Sequence, residues 1–466
     1  MVSRSIHDFT IIAMPSEFMG GAGIRSLNVL PYIKSLLEDL NVQYHLYVPC
    51  FSSSLLGLNI YAIKGDLDPE EVLKHIESNL KLIAMSDAVP SDLLNTIYDT
   101  VKKYTLKHAM QLYSSKWNKY LHRLFFLIKR DHIARYMENE CLKVFMKVLS
   151  TSGVRHAIYS MHEWYDTVYA SKEMSEKSNS YSIVLLQAEP FTKLNNLIMY
   201  ARVTGLSRTI RNVLLGRGLR KLYIEFMRSG KLRKILSVSA APIVASGILE
   251  LANQYNVAVD TLRPGNAVDP KAFEYRRFDK DLLAVFCARL CREKGLFDLL
   301  RIWAYVSAEI PDAKLVVIGK FEDDKTKRLF LRDINKLKLR NLIYLGHIRD
   351  RDLLYRIVSQ AKLLIYPSYL DAFPLAVLEA LALGTSVVAY DIPAIVSVYK
   401  GLPAVKIVKY GDVRAAAQQS IEMLRLDYND YVKMHENEFM KKFLEMHSSW
   451  YRVAETELRC ILSSLN

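Results

Sequence analysis

Two cations, Arg289 and Lys294, stand five positions apart just beyond the apolar stretch 282–288 (LLAVFCA). Basic residues so spaced at the carboxyl end of a strand can clamp a diphosphate, and Gly295 lets the chain turn into the next helix. A second group follows 363–366 (LLIY): Asp371, Phe373, Pro374 and Leu375 lead into a helical pattern. The start of such a helix offers free amides and the positive end of its dipole to an anion. Pro374 suits the first helical turn, where its missing N–H costs nothing. Glu379 lies about 7.5 Å further along that helix, inside LAVLEALAL, an apolar run in which a solvated carboxylate is out of place. Both Asp371 and Glu379 can accept from the hydroxyl pairs of a ribose or a sugar. The bland alternative makes Asp371 a helix cap and Glu379 part of a wet face.

Other candidates are weaker. Gly20-Gly21-Ala22-Gly23 follows the first strand, but its spacing is not G-x-G-x-x-G and the second strand ends in Val48-Pro49-Cys50, without an acid. Both features argue against a nicotinamide dinucleotide. His162 and Glu163 follow the stretch 155–160, and a lone histidine there can be structural or functional. Asp350-Arg351-Asp352 spells D-x-D yet opens a helix, so Asp350 reads as a cap. The run Glu322-Asp323-Asp324 reads as a wet turn. Cys287 and Cys291 have no nearby partners in sequence for a zinc site. No metal site is expected.

These residues need elements to hold them. In the C-terminal half, apolar strand-length runs at 282–288, 314–318, 342–345, 363–366, 386–390 and 405–408 alternate with helical stretches such as 351–361 and 374–383. That alternation predicts a doubly wound, parallel α/β domain. The N-terminal half repeats it at 8–13, 43–48, 155–160, 182–187, 235–239 and 258–262, interrupted by helical insertions at about 90–150 and 193–232. Residues 264–281 combine turn residues with charge and read as a linker. Two α/β domains joined there face each other across a cleft, where such sheets bind ligands.

Composition narrows the class. Of 466 residues about half are hydrophobic, and Gly and Pro together number 32, which excludes a disordered or fibrous chain. Five cysteines without close C-x-x-C spacing fit a reduced intracellular compartment. The stretch after Thr10 is too short for a signal peptide, and no run approaches the roughly 20 apolar residues of a membrane span. The formal charge of 63 − 49 = +14 is concentrated: residues 193–234 hold eleven Lys or Arg and one acid, Glu225, a net +10. Within it Leu197, Ile198, Val203, Leu206, Ile210, Val213 and Leu214 interleave with Arg202, Arg208 and Arg211. A second stretch, 117–136, does the same. Such segments favour an anionic membrane surface, at about 1 kcal/mol per basic residue. A solvated face is the plain alternative, and nucleic acid ranks last because no motif for it is present.

The series GNAVDPKAF, FCARLCREKGLFDLL, LVVIG, IYLGHI and PSYLDAFPLAVLEALALGTSVVAYDIPA resembles, in order and spacing, the GT-B glycosyltransferases, family 4 in particular. The resemblance is dense over 235–400 and looser elsewhere. It implies two Rossmann-like domains, an acceptor-binding one over 1–263 and a nucleotide-sugar-binding one over 264–445, with a last helix, 446–466, returning to the first. It implies a retaining transfer of a hexose-type sugar from a nucleotide diphosphate sugar, with no metal and no further cofactor. Arg289 and Lys294 would hold the diphosphate, Glu379 the ribose and Asp371 the sugar hydroxyls. The amides of Phe373 and Leu375 would approach the sugar or phosphate, Ile348 and His347 would lie against the base, Gly21 would let backbone approach the donor phosphate, and His162 would lie near the donor sugar. Gln187 and Glu189, ending LLQAEPF, would face the acceptor. With the basic segment 193–234 on a membrane, that acceptor would be a lipid-linked or other glycan, and the enzyme would be cytoplasmic, peripheral on the inner face of the cell membrane. Two departures stand out: Asp371 where the family has Glu, and Pro374 where it has Gly. They keep open a non-catalytic membrane or nucleic-acid binding protein on a degenerate scaffold. A phosphorylase or epimerase on the same fold is the enzymatic rival.

Overall fold

The computed structural model describes residues 8–13, 20–47, 49, 135, 138–139, 142–143, 146, 156–193 and 196–464. The expected insertion at 90–150 and the stretch 117–136 lie almost wholly outside them.

The first half builds a six-stranded sheet from β1 (Asp8–Ile12), β2 (Gln43–Tyr47), β3 (His156–Ser160), β4 (Tyr181–Leu186), β5 (Leu232–Ser237) and β6 (Ala258–Thr261). Its helices are α1 (Gly20–Asp39), α2 (Tyr165–Lys177), α3 (Leu197–Thr204), α4 (Leu206–Arg228), α5 (Ala240–Ser246) and α6 (Ile248–Asn253). The second half builds another sheet from β7 (Asp281–Cys287), β8 (Lys314–Ile318), β9 (Leu342–Gly346), β10 (Ala361–Tyr366), β11 (Ser386–Tyr390) and β12 (Val405–Val408). Around it lie α7 (Leu296–Glu309), α8 (Asp324–Lys336), α9 (Arg351–Gln360), α10 (Leu375–Ala382), α11 (Pro393–Tyr399) and α12 (Val413–Arg425). Three helices close the chain: α13 (Tyr428–His435), α14 (Glu438–Met446) and α15 (Trp450–Ser463).

All pairings are parallel, in the orders β2-β1-β3-β4-β5-β6 and β12-β11-β10-β7-β8-β9. Strands covered on both faces must be apolar throughout, and β11 (SVVAY) is buried at every residue. Full burial of a Val, Leu or Ile side chain contributes about 1.5–3 kcal/mol, so these central strands are the core. Each sheet reverses its strand order once, between β1 and β3 in the first and between β7 and β10 in the second. A crevice opens at such a point beyond the strand ends.

Three expectations are corrected. Residues 264–281 are not a free linker: Asn266, Ala267, Val268 and Ala272 are buried, and residues 270–275 form a 3-10 turn. A Cβ on Gly265 would lie 2.0 Å from the Val238 carbonyl oxygen, so only glycine lets this crossover press against the end of β5. The second helical segment is not wholly an addition. The C-terminal half of α4 is the crossover between β4 and β5, with Leu219, Leu222, Tyr223 and Phe226 buried in the first domain's core; α3 and the first turns of α4 are the extra part. Finally, β5 starts at Leu232, not 235, because Lys234 sits in the strand and pairs with Asp260 of β6 at 2.8 Å.

The last helix, α15, packs on α1. Glu457 of α15 is fully buried and accepts from the Arg25 guanidinium and the Tyr159 hydroxyl, while Arg25 Nε donates to the Gly265 carbonyl at 3.0 Å. Among the described residues no helix is long and apolar enough to cross a membrane.

Candidate active site

The turn after β7 and the turn after β10 meet at the second sheet's reversal point. Gly295 holds φ +72°, and a Cβ there would lie 1.8 Å from the Pro367 carbonyl oxygen, so the two turns touch backbone to backbone. Glu293 is anchored in the same place: its carbonyl accepts from the Tyr369 amide at 2.8 Å. These contacts set the side chains. Lys294 Nζ lies 2.5 Å from Asp371 Oδ2 and 3.1 Å from the Leu370 carbonyl. The Tyr366 hydroxyl also donates to Asp371 Oδ2, and the Phe373 amide donates to Oδ1 at 3.2 Å. Burial and the adjacent Asp371 raise the Tyr366 hydroxyl well above its ordinary pKa, so it stays a donor. Arg289 is more than half exposed and reaches Glu293 Oε2 at 2.9 Å.

Glu379 is largely buried on α10, and Arg351 of α9 holds its Oε1 at 2.5 Å. Burial raises this carboxyl above its usual range, against the pull of Arg351. Burial and Glu379 push the nearby Cys287 thiol up to about 12, which keeps it protonated and inert. Asp350 caps α9 through the amides of Asp352 and Leu353. Among the described residues no group of three His, Cys, Asp or Glu could hold a metal ion.

The helix start differs in detail from the sequence reading. Pro374 occupies the N-cap position, with φ −75° and ψ 85°, rather than the first turn. The Phe373 amide is taken by Asp371 and the Leu375 amide donates to the Phe373 carbonyl at 2.9 Å. Neither is free for a ligand in this state. The Ala376 amide, one residue further, makes no hydrogen bond among the described residues. Ile348, in the loop after β9, is half-buried against the core and His347 beside it is exposed.

Across the cleft, Gly20–Gly23 form the first turn of α1 rather than a loop before it, so Gly21 presents helix-end backbone. His162 lies at the first sheet's reversal point and is fully buried. Its Nε2 is 3.1 Å from Ser26 Oγ, the Gln187 amide lies 3.4 Å from Nδ1, and its ring stacks on Trp164 with centroids 4.4 Å apart. Burial, then Arg25, lowers it to about 3, so it is neutral. Among the described residues no hydrogen bond or ion pair joins His162 to Asp371 or Lys294. Glu163 is equally buried, accepts from the Gln187 backbone N–H at 2.9 Å, and is raised by desolvation to about 7.

The structure thus brings Arg289, Lys294, Asp371, Phe373 and Leu375 together, with Glu379 further along the helix. It adds three residues whose roles sequence reasoning missed or left general. Ser239, capping α5, donates to the Ala372 carbonyl across the cleft. Glu189 accepts from Tyr200 of α3 at 2.7 Å and is raised by burial, with Glu293 and Asp371 of the other domain adding to the rise. Arg208 of α4 reaches Glu293 Oε1 at 2.6 Å and also pairs with Glu322. Nothing in the spacing of Arg208 pointed to partners 85 and 114 positions away.

Residues 268–439 match the family model described as glycosyl transferases group 1. Over 124 residues, 26% of this chain and 29% of its relative, the sequence is 29% identical to an uncharacterized glycosyltransferase of Methanocaldococcus jannaschii. Over 110 residues it is 36% identical to the poly(glycerol-phosphate) alpha-glucosyltransferase of Bacillus subtilis, covering 23% of this chain and 15% of that one. The matches therefore span less than a third of these relatives' lengths. Solved structures agree over the whole chain: a glycosyltransferase from Rickettsia africae superposes with TM-score 0.56 at 11% identity, covering 99% and 100% of the two chains. Anabaena HepE, in complex with UDP and glucose, does so with TM-score 0.54 at 11% identity, covering 98% and 100%. The fold is the α/β two-domain GT-B fold of glycosyltransferases.

Glu163 yields a pH prediction. A carboxyl raised from 4.5 to about 7 on folding stabilises the fold below its unfolded value, and that stability is lost as pH rises through the folded one. The stability of Glu163→Gln relative to the wild type should therefore rise between pH 4.5 and about 7 and stay flat above it, as read by urea unfolding. A difference independent of pH across that window would contradict a protonated Glu163.

Proposed function

We propose that the protein is a retaining glycosyltransferase that moves a hexose-type sugar from a nucleoside diphosphate sugar to a lipid-linked acceptor. The observation that carries the reading is the pairing of Lys294 with Asp371 beside the start of α10, with Arg289 held on the neighbouring Glu293, at the reversal point of the second sheet. The match of this domain to glycosyl transferases group 1 supports it, as does the likeness to a protein crystallised with UDP and glucose.

The diphosphate enters as an anion among Arg289, Lys294 and the Ala376 amide. Lys294 exchanges Asp371 for a phosphate oxygen. Asp371 keeps Tyr366 and the Phe373 amide, and its freed lone pairs accept from the sugar's hydroxyls. Glu379 has one oxygen on Arg351 and one left for the ribose. As the bond from the sugar's anomeric carbon to the diphosphate breaks, the two cations offset the charge on the leaving phosphate. The acceptor oxygen bonds to that carbon on the same face and passes its proton to the departing phosphate oxygen. Asp371, one methylene shorter than the family's Glu, stays oriented by Tyr366 and the Phe373 amide.

The acceptor reading rests on α3 and α4. Ile198, Leu206, Ile210 and Leu214 are exposed, the last three at four-residue spacing on one face of α4, with exposed Arg202 and Arg217 alongside. A helix so built lies on an anionic lipid surface.

Two measurements test these claims. In calorimetric titration of UDP, GDP, ADP and dTDP, one nucleotide should saturate the wild type, and Lys294→Ala should weaken it about tenfold or more. Absence of binding at millimolar concentration, or equal binding by the variant, would contradict the donor site. In co-sedimentation with phosphatidylglycerol vesicles, Leu206→Ser with Ile210→Ser should lower binding at least about fivefold, since each buried large side chain contributes 1.5–3 kcal/mol. Unchanged sedimentation would remove the membrane from the account.

A further inference from the structure

The carboxylate of Glu293 lies between two arginines from opposite domains, Arg289 on Oε2 at 2.9 Å and Arg208 on Oε1 at 2.6 Å. Its carbonyl accepts from the Tyr369 amide, which keeps the residue at the mouth of the donor site. The surrounding α3 packs directly on the 3-10 turn 292–294 that carries it. Counted together, Glu293, Glu322 and Asp371 face Arg208, Arg289 and Lys294. Three carboxylates against three cations make a neutral set, into which the proposed ligand brings at least two further negative charges.

Such a ligand must take Arg289 and Lys294 from their present carboxylates. Asp371 is covered when Lys294 departs, because Tyr366 and the Phe373 amide still donate to it. Glu293, which is largely buried, has one equivalent reserve among the described residues, Arg208. A buried carboxylate left without a donor incurs its full desolvation penalty, and an unneutralised one beside the diphosphate adds like-charge repulsion.

We infer that Arg208 is a positioning residue of the donor site, supplied by the acceptor-side domain, which holds and neutralises Glu293 so that Arg289 is released to the diphosphate. The inference rests on the proposed donor site and adds to it a role for one member of the basic segment, facing the cleft rather than a membrane. It also makes nucleotide binding depend on both domains: every Arg289 that moves onto phosphate leaves Glu293 to Arg208 alone and so favours the closed cleft.

Removing the carboxylate should remove the need for its partner, which a tether between domains would not do, since Glu322 would still require Arg208. The test is calorimetric titration of the nucleoside diphosphate that the wild type binds, on Arg208→Ala, Glu293→Gln and the double variant, with thermal unfolding to establish that each is folded. Arg208→Ala should raise Kd about tenfold or more, and Glu293→Gln in that background should restore binding to within about threefold of Glu293→Gln alone. Binding by Arg208→Ala equal to wild type overturns the inference while leaving the donor site standing. A double variant as weak as Arg208→Ala overturns it too, in favour of a tether. If the wild type itself binds none of the four nucleotides, the donor site fails and the inference with it.

Discussion

One buried guanidinium joins the beginning, middle and end of this chain. Arg25, in the second turn of the first helix, donates to the crossover carbonyl of Gly265 and to Glu457 of the last helix, and both charges are withdrawn from solvent. Removing either partner would strand the other, at about 3–5 kcal/mol. Because the crossover leads from the first sheet to the second, and the last helix returns from the second to the first, this pair fixes how the two sheets face each other. The same helix turn carries Ser26, which holds His162. The cleft geometry and the N-terminal support of the site therefore share one anchor.

The two sheets repeat one topological event, and the chemistry collects where it occurs. In the second sheet the reversal between β7 and β10 leaves two turns in contact through Gly295 and Pro367, and this contact sets Lys294 against Asp371. In the first sheet the reversal between β1 and β3 gathers Ser26, His162 and Gln187 into a neutral, buried network beside Arg25. One side keeps exchangeable ion pairs fit to receive an anion. The other keeps a rigid wall, from which Glu189 and Arg208 reach over. The division follows from burial: a neutral imidazole can be sealed from water cheaply, whereas Arg289 must remain wet enough to change partners.

Much of the fold was legible because parallel strands covered on both faces are apolar without interruption. β8, β11 and β12 fall at 314–318, 386–390 and 405–408, where the runs LVVI, VVA and VKIV stand out. Glu379 was legible for the complementary reason, a carboxylate inside LAVLEALAL, though its partner Arg351 was hidden in an apparent D-x-D motif. Long-range electrostatics were not legible. Arg208 looked like one more cation of a basic amphipathic face, and only the folded chain shows it turned to Glu293. The stretch 264–281 misled through composition, since its charged half concealed the buried Asn266–Val268. α4 misled because one helix does two jobs, exposed at its start and core at its end.

The central claim is that a nucleoside diphosphate binds at the reversal point of the second sheet with Lys294 exchanging Asp371 for phosphate. A crystal structure of the wild type soaked with the nucleotide that binds in solution tests it most directly. The account predicts the diphosphate in contact with Arg289, Lys294 and the Ala376 amide, the ribose against Glu379, and Arg208 still on Glu293. Diphosphate density elsewhere, with Lys294 still on Asp371, would contradict it.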